Sequence, residues 1–342
     1  MVAQSSQGEA GWPLVVIATP VYNGAPFLAE TMACVQAQTY PNIVHCVLDN
    51  ASTDATPDII ARFADGRVPL MVARNAKTLS MLDNWNAVLR LVPRRAAYFR
   101  ILPADDLILS QGIEKMVAMG ERHKDVDIIG CQEWANETLL GAELPRDRDV
   151  FDGRAIVRGS LLNAIHGFPH LHCLYRKRAG PMPEAFYDTE FHGTRLLSID
   201  MDAAMRVLCK SRYAYVHEPL VITRLHEHSV TSTLATPNHL KMWSELQLID
   251  RWGPKVFDSE AEYLKCRKRH LHFYYRYLLL WRARRQLTLL NQHLDWLAKA
   301  SALPTPQDYA RAVAEWPFLR LARVSRSLSV RFGLPAASYQ IV

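Results

Sequence analysis

Short β-branched apolar runs alternate with helical segments early in the chain, and this alternation constrains the fold more than any other feature. The runs predict strands at 14–18, 43–48, 68–73 and 97–102, with two more at 127–132 and 172–176. The predicted helices cover 25–38, the end of the segment DNASTDATPDIIARFA, and 81–91. Strands that alternate with helices in this way form a parallel sheet with helices on both faces. We therefore predict an α/β protein with a doubly wound, mainly parallel sheet of Rossmann-like type.

Three polar loops follow three of these strands. They are TPVYNG (19–24), DNASTD (49–54) and PADD (103–106). Ligands of doubly wound sheets bind beyond the carboxyl ends of the strands, so all three loops are expected at one binding edge. The adjacent Asp105 and Asp106 repel each other unless water, a basic group or a cation compensates their charge. Plain turns and helix caps are the alternative interpretation of each loop taken alone.

Two downstream stretches also carry candidate residues. Asp200 in LLSIDMDAAMRVL begins a helical pattern, where it can be a helix cap or a general base, held in place by Asp202, Arg206 and Arg195. His226 in TRLHEHSVTS lies in a loop-like setting. An imidazole there can complete the coordination of a metal bound to Asp105, although a lone histidine is more often a surface or packing residue.

Taken in order, ATPVYNG, VLDNASTDAT, RNAKTLSMLDNWN, ILPADDLIL, SIDMDAAMR and RLHEHSVTS resemble the motifs of family 2 glycosyltransferases, which have the GT-A fold. The resemblance covers roughly 14–232. It implies transfer of a sugar, with inversion, from a nucleotide-diphosphate sugar to a hydroxyl of a glycan or lipid-linked acceptor. A UDP-sugar is the favoured donor, and Mg²⁺ or Mn²⁺ is the implied cofactor.

The same resemblance implies roles for individual positions. Asp200 is the expected catalytic base, and Asp105 with His226 the expected metal ligands. The implied donor-binding residues are Pro20, Tyr22, Asn23, Asp49, Lys77 and Asp106. Two positions depart from the family pattern, because Pro103 and Ile199 stand where acids are usual. These departures leave open a catalytically silent nucleotide-sugar-binding or scaffold protein.

The resemblance also suggests a division of the chain. We expect a flexible N-terminus at 1–12, a GT-A domain at 13–236 and a helical region at 237–342. Within the domain, 13–110 is the predicted donor half and 111–236 the predicted acceptor half. Segment 265–286 of the helical region interleaves basic and aromatic residues. It is expected either to pack its aromatic face on the domain or to make peripheral contact with an anionic membrane.

The net charge bears on the class of binding partner, and the cysteine content bears on the cellular compartment. The net charge of +6 and pI near 9.0 favour anionic partners such as nucleotides, lipids or nucleic acid. The basic residues do not gather at a nucleic-acid reading motif, so we expect no nucleic-acid partner. A Gly-rich phosphate loop and a GxGxxG motif are both missing after the first strand, which argues against a nucleotidyltransferase and a dehydrogenase. Six cysteines without a CxxC pair, no long apolar run and no signal-peptide pattern favour a cytoplasmic protein.

Overall fold

The computed structural model of the chain describes residues 11–141, 144–163, 171–226 and 238–315. The strands are β1 (Val15–Val21), β2 (Ile43–Asp49), β3 (Leu70–Arg74), β4 (Tyr98–Ile101), β5 (Leu107–Ile108), β6 (Val126–Ala135), β7 (Thr138–Leu140), β8 (Val150–Asp152), β9 (Leu174–Arg176), β10 (Glu190–Phe191), β11 (Thr194–Arg195) and β12 (Arg212–Thr223). The helices are α1 (Leu28–Gln36), α2 (Thr56–Ala61), α3 (Met81–Leu89), α4 (Gly112–Arg122), α5 (Gly153–Leu161), α6 (Ile199–Leu208), α7 (Asn238–Val256), α8 (Glu260–Ala283), α9 (Leu287–Lys299) and α10 (Pro306–Ala314).

The central sheet has the order β3-β2-β1-β4-β9-β6-β12-β5, with β7 added to β6 and β8 added to β12. Strands β1 to β4 run parallel. β9 is antiparallel to both β4 and β6, so these two reversals leave β6 and β12 pointing the same way as β4. This arrangement confirms the predicted α/β class with a mainly parallel sheet.

Alternate residues of β1 supply the cores on the two faces of the sheet. Val16 and Ala18 pack in one hydrophobic cluster, which includes residues of α3, α5 and α6. Val15 and Ile17 pack in the other cluster, which includes residues of α4. Side chains of a strand point alternately to opposite faces, so a strand covered on both sides must be apolar throughout. The apolar run 14–18, which contains the first four residues of β1, follows from this burial.

Some boundaries and one long strand differ from the sequence predictions. β1 extends to Val21 and takes Pro20 into the sheet, whereas β9 covers only the last residues of its predicted run. The charged stretch ELPRDRDVFDGR, for which the sequence predicts a loop, contains β8 and the start of α5. β12 was not predicted. Its sequence contains Pro219 and charged residues, and its pairing with β6 is interrupted by register shifts, so it lacks a regular alternation.

The segment predicted as a helical region begins in the structure with α7 at Asn238. The described helices of this region form a hydrophobic core of their own. Trp243, Tyr274 and Leu297 are fully or almost fully buried there. One face of α8 packs inward, but its buried aromatic residues lie among the other helices of this region and not on the sheet domain, where the packing interpretation of segment 265–286 expected them. Membrane contact by this segment remains a prediction. In the described part of the chain, no helix combines the length and apolarity needed to cross a bilayer.

Candidate functional site

The candidate residues lie at one edge of the sheet. β1, β2 and β4 are parallel, so the loops that follow them open on the same side. β12 has the same direction as β4, and the residues after it, including His226, therefore reach that side too. A helix joined to the next strand by a short turn runs back along it, which directs the N-terminus of α6, with Asp200, toward this edge. The predicted convergence of the loops is thus reproduced by the topology.

The first two loops are joined by hydrogen bonds. The backbone amide of Asn23 donates to Ser52 Oγ (2.9 Å), and that of Ala25 donates to Asp54 Oδ2 (3.0 Å). In return the amide of Thr53 donates to Asn23 Oδ1 (2.9 Å). The amides that precede α1 are consequently bonded to protein side chains and do not offer an open anion site. Asn23, predicted to contact the donor, holds the two loops together.

Three other residues predicted to bind the donor, Pro20, Tyr22 and Lys77, differ in their exposure to solvent. Pro20 is buried within β1, whereas the Tyr22 ring is 52% exposed at the edge. Lys77 is exposed in the loop after β3. That loop is fixed to the loop after β2, because the side-chain Nδ2 of Asn75 donates to Asn50 Oδ1 (2.8 Å). The side chains of Tyr22 and Lys77 are therefore accessible to a ligand, and the loop that carries Lys77 is fixed by hydrogen bonding.

Asp49 ends β2 beside Arg74 at the end of β3, and the two residues are aligned in the strand register. Their side chains form an ion pair, and the amide of Ser52 donates to Asp49 Oδ1 at 2.9 Å. Asp49 is buried, whereas the Arg74 side chain is 48% exposed. Arg74 is not among the site residues predicted from the sequence. Its position at the end of the strand adjacent to Asp49 was the available signal.

Asp105 and His226 come from loops 121 residues apart and meet at the edge, with Oδ2 and Nε2 separated by 3.0 Å. The Phe27 ring stacks on the His226 ring at 4.5 Å between centroids. The described residues contain no group of three or more His, Cys, Asp or Glu side chains arranged to hold a metal. A carboxylate and an imidazole nevertheless suit Mn²⁺. Divalent cations at nucleotide sites commonly take their remaining ligands from substrate phosphates and water, so this pair fits a partial cation site.

Asp106 faces the interior rather than the edge. It is 4% exposed, and its Oδ1 accepts a hydrogen bond from the backbone amide of Arg224 (2.9 Å). The Arg224 guanidinium in turn contacts the carbonyl oxygen of Asp105 and pairs with Glu30 at 2.8 Å. Burial, aided by the negative charge of Asp105, raises the pKa of Asp106 to about 8. The resemblance implies both donor binding and support of the loop for Asp106; the structure shows it supporting the loop that presents Asp105, and its contact with a donor stays a prediction.

A buried polar group lies beneath this loop. His172 Nε2 is 2.9 Å from Thr223 Oγ1 and 3.4 Å from Asp106 Oδ2, while its Nδ1 is 3.4 Å from Arg100 Nη2. Arg100 is fully buried within β4. Neither Arg100 nor His172 is among the site residues predicted from the sequence. The signal was a charged residue inside the buried run AYFRIL, since a buried charge requires polar partners.

Asp200 is the second residue of α6 and is partly buried. Its Oδ1 accepts a hydrogen bond from the amide of Met201 (2.9 Å). Its negative charge contributes to the raised pKa of Tyr187, which is caused mainly by burial. Ile199, the departure from the acidic pattern, is buried in the core. Asp202, expected to support Asp200, lies fully buried against α7.

Two solved glycosyltransferases share the fold. Staphylococcus aureus TarS, residues 1–349 in complex with UDP-GlcNAc, aligns with a TM-score of 0.60 at 16% identity, over 96% of this chain and 94% of its own. The mannosyltransferase PcManGT of Pyrobaculum calidifontis, in complex with GDP-Man and Mn²⁺, aligns with a TM-score of 0.53 at 17% identity, over 94% and 84% respectively. The protein therefore has the GT-A fold of glycosyltransferases.

Sequence comparison then gives the family. Residues 16–179 match the model described as glycosyl transferase family 2. An uncharacterized glycosyltransferase of Rickettsia typhi is 26% identical over 226 residues, which are 65% of this chain and 67% of the relative. The segment 16–179 therefore belongs to glycosyltransferase family 2, and the resemblance inferred from the ordered motifs is confirmed.

Proposed function

We propose that this glycosyltransferase moves a sugar from a nucleotide-diphosphate sugar to an acceptor hydroxyl with inversion, and that Asp200 is the general base. The observation that carries the proposal is the meeting of Asp105 with His226 at the strand-end edge, toward which the N-terminus of α6 also points. Donor and acceptor groups would then approach the same cleft from the two halves of the domain. The acceptor is proposed to be a glycan or a lipid-linked saccharide precursor.

Recognition of the nucleobase is assigned to Asp49 and Arg74. A carboxylate accepts a hydrogen bond from a base N–H, and a guanidinium donates to a base carbonyl, which together match the adjacent N–H and carbonyl groups of uracil. Tyr22 offers an exposed ring for stacking, and Lys77 a positive charge near the phosphates. TarS was solved with UDP-GlcNAc and PcManGT with GDP-Man. Guanine also presents an N–H beside a carbonyl, so a UDP-sugar is our first proposal and a GDP-sugar the second.

Asp105 and His226 would hold the divalent cation, with Mn²⁺ favoured over Mg²⁺ because imidazole is a ligand of transition metals. When bound, the cation supplies Lewis-acid stabilisation of the negative charge on the leaving diphosphate. Arg224 keeps the Asp105 loop against α1 through its contacts with Asp105 and Glu30. The chain thus orients the ligand pair before any donor arrives.

Asp200 is proposed to take the proton from the acceptor hydroxyl as its oxygen attacks the anomeric carbon. The bond from that carbon to the diphosphate oxygen breaks on the opposite face, so the configuration inverts. A positioned general base contributes about 10²- to 10⁴-fold to a rate.

Release of nucleoside diphosphate tests the activity. The protein is incubated with UDP-GlcNAc or GDP-mannose in Mn²⁺ and, as the matched control, after EDTA treatment. We expect release of UDP or GDP in Mn²⁺ and little release after EDTA. Full activity in EDTA would overturn the metal assignment. Binding of either donor without any release, with a glycan acceptor mixture present, would favour the catalytically silent protein that Pro103 and Ile199 leave open.

A further inference from the structure

One face of α7 carries polar side chains that are directed at the segment leading to Asp200. Ser244, Gln247 and Arg251 are spaced by three and four residues, so they lie along one side of the helix, with Trp252 beside them. The segment from Phe186 to Asp202 receives their hydrogen bonds. Helix α7 belongs to the helical region and follows Asp200 in sequence, so these contacts join two distant parts of the chain.

Gln247 makes the largest share of these bonds. Its Nε2 donates to Thr194 Oγ1 (3.0 Å) and to the carbonyl oxygen of Arg195 (3.1 Å), while its Oε1 accepts from the amide of Leu197 (3.4 Å). Gln247 is fully buried. A buried amide whose donors and acceptor are all engaged holds its partners in one arrangement, because breaking a bond leaves a buried polar group unpaired. Gln247 therefore fixes the backbone directly before α6.

The start of α6 is held on both sides of Asp200. On one side the hydroxyl of Ser198, the residue before α6, is hydrogen-bonded to the hydroxyl of Ser244. On the other side Trp252 Nε1 donates to Asp202 Oδ1 (2.7 Å), and Arg251 Nε lies 3.2 Å from the same oxygen. Each anchor is two residues from Asp200.

The β10–β11 hairpin provides a third attachment. Its turn residue His192 lies with Nε2 3.0 Å from Asp250 Oδ2 of α7. Arg267 of α8 donates from Nε to Asp250 Oδ1 at 2.7 Å, so the second helix of the region braces the same carboxylate. Trp243 Nε1 also donates to Thr194 Oγ1 (3.2 Å). The hairpin cannot shift without breaking its contacts to α7, whose Asp250 is itself held by α8.

We propose that Gln247 is a positioning residue for the catalytic base, and that α7 acts as the rigid support that aims Asp200 at the acceptor hydroxyl. The inference rests on the proposed role of Asp200. Proton transfer requires the base within hydrogen-bond reach of its proton, so a small displacement of the carboxylate lowers the rate without altering donor binding.

The first test measures order in the segment and needs no activity. Gln247→Met keeps the side-chain length and removes the hydrogen bonds, and Tyr275→Phe is the matched control. Tyr275 is buried in the same region, and its hydroxyl donates to Ala302 at 2.9 Å, away from the segment. In the full chain we expect amide hydrogen exchange of residues 195–202 to accelerate about tenfold in Gln247→Met and to stay unchanged in Tyr275→Phe. Unchanged exchange in both variants, or equal acceleration in both, would overturn the proposal.

The second test is a double-mutant cycle on the rate of donor turnover. The donor used is UDP-GlcNAc or GDP-mannose, whichever gives faster release of its nucleoside diphosphate in Mn²⁺. We expect Gln247→Met to lower kcat about 10- to 100-fold with the donor KM unchanged. Combined with Asp200→Asn it should cause almost no further loss, because residues that act through one group are not additive. Additive losses would overturn the positioning role while leaving Asp200 as base. If Asp200→Asn alone were fully active, the proposed function itself would fail, and the exchange result would still report on the support by α7.

Discussion

The proposed donor side and the proposed acceptor side of the site are held in place by different means. On the donor side, loops that follow neighbouring parallel strands bind each other directly, as the bonds of Asn23 to Ser52 and Thr53 show. On the acceptor side, the segment before Asp200 is held from outside, by α7 through Gln247 and by α3 through Asn86. Donor binding should therefore be independent of the helical region, whereas turnover should depend on it.

Replacement of the proposed base should give the largest effect and separates the two sides most clearly. We expect Asp200→Asn to lower kcat about 10²- to 10⁴-fold while UDP-GlcNAc binding in Mn²⁺ is unchanged, measured by initial rates and calorimetry. Asp58→Asn is the matched control, because Asp58 is exposed in the first turn of α2 and loses the same helix-dipole interaction. Near wild-type turnover of Asp200→Asn would remove the base assignment.

Replacement on the donor side should affect binding instead. Asp105→Asn is expected to weaken Mn²⁺-dependent binding of UDP-GlcNAc by about 10- to 100-fold, since one of two protein ligands loses its charge. His226→Gln should weaken it in the same direction. The measurement is donor affinity as a function of Mn²⁺ concentration. An unaltered Mn²⁺ dependence in both variants would remove Asp105 and His226, which lie 3.0 Å apart, from the proposed cation site.

The link between the two sides can be broken at Asn86. Its Oδ1 accepts from the amides of Phe186 (2.9 Å) and Tyr187 (2.9 Å), and its Nδ2 donates to the carbonyl of Tyr187 (3.0 Å). Asn86→Ala should lower the free energy of unfolding by about 1–3 kcal/mol, because buried amides lose their partners. Asn84→Ala, which removes a bond to Asn75 within the donor side, is the control. In urea unfolding both should be destabilised, but only Asn86→Ala should slow turnover.

Acidification should destabilise the donor side through His45. Burial lowers the pKa of His45 from 6.5 to about 3. Below pH 6.5 this histidine binds a proton in the unfolded chain but stays neutral in the folded protein. The free energy of unfolding is therefore unaffected by His45 above pH 6.5 and falls as the pH drops from 6.5 toward 3. At pH 5 the loss is about 2 kcal/mol. His45→Gln should remove this part of the pH dependence in urea unfolding. An identical slope in the variant would refute the assignment.

The smallest expected effect on donor binding is for Arg74→Ala, which removes the half-exposed partner of the buried Asp49 carboxylate. It should weaken UDP-GlcNAc binding several-fold by removing a donor to the base. Arg67→Ala, at an exposed arginine bonded to Gln36 on the donor side, is the control. Unchanged donor affinity in Arg74→Ala would remove it from base recognition.

Much of the donor side was predictable, because strands and their following loops are adjacent in sequence. The apolar runs marked β1, β2 and β4, and the motif order led to the family that the comparisons confirm. The sequence does not predict features that distant elements impose. β12 lacks the alternation of a regular strand, and the hydrogen bond by which Asp106 supports its loop comes from Arg224, more than a hundred residues away. Such pairs have no periodic pattern that a single sequence displays.

The sequence by itself determined that this chain folds as a doubly wound sheet with polar loops at one edge, because periodicity and strand ends are local properties. Tertiary structure alone decided which polar side chains face the cleft and which face inward. It placed His226 against Asp105, turned Asp106 into the core and put Gln247 behind the segment of Asp200. The physical reason is that a polar side chain is oriented by the partners that compensate its burial, and those partners come from distant parts of the chain.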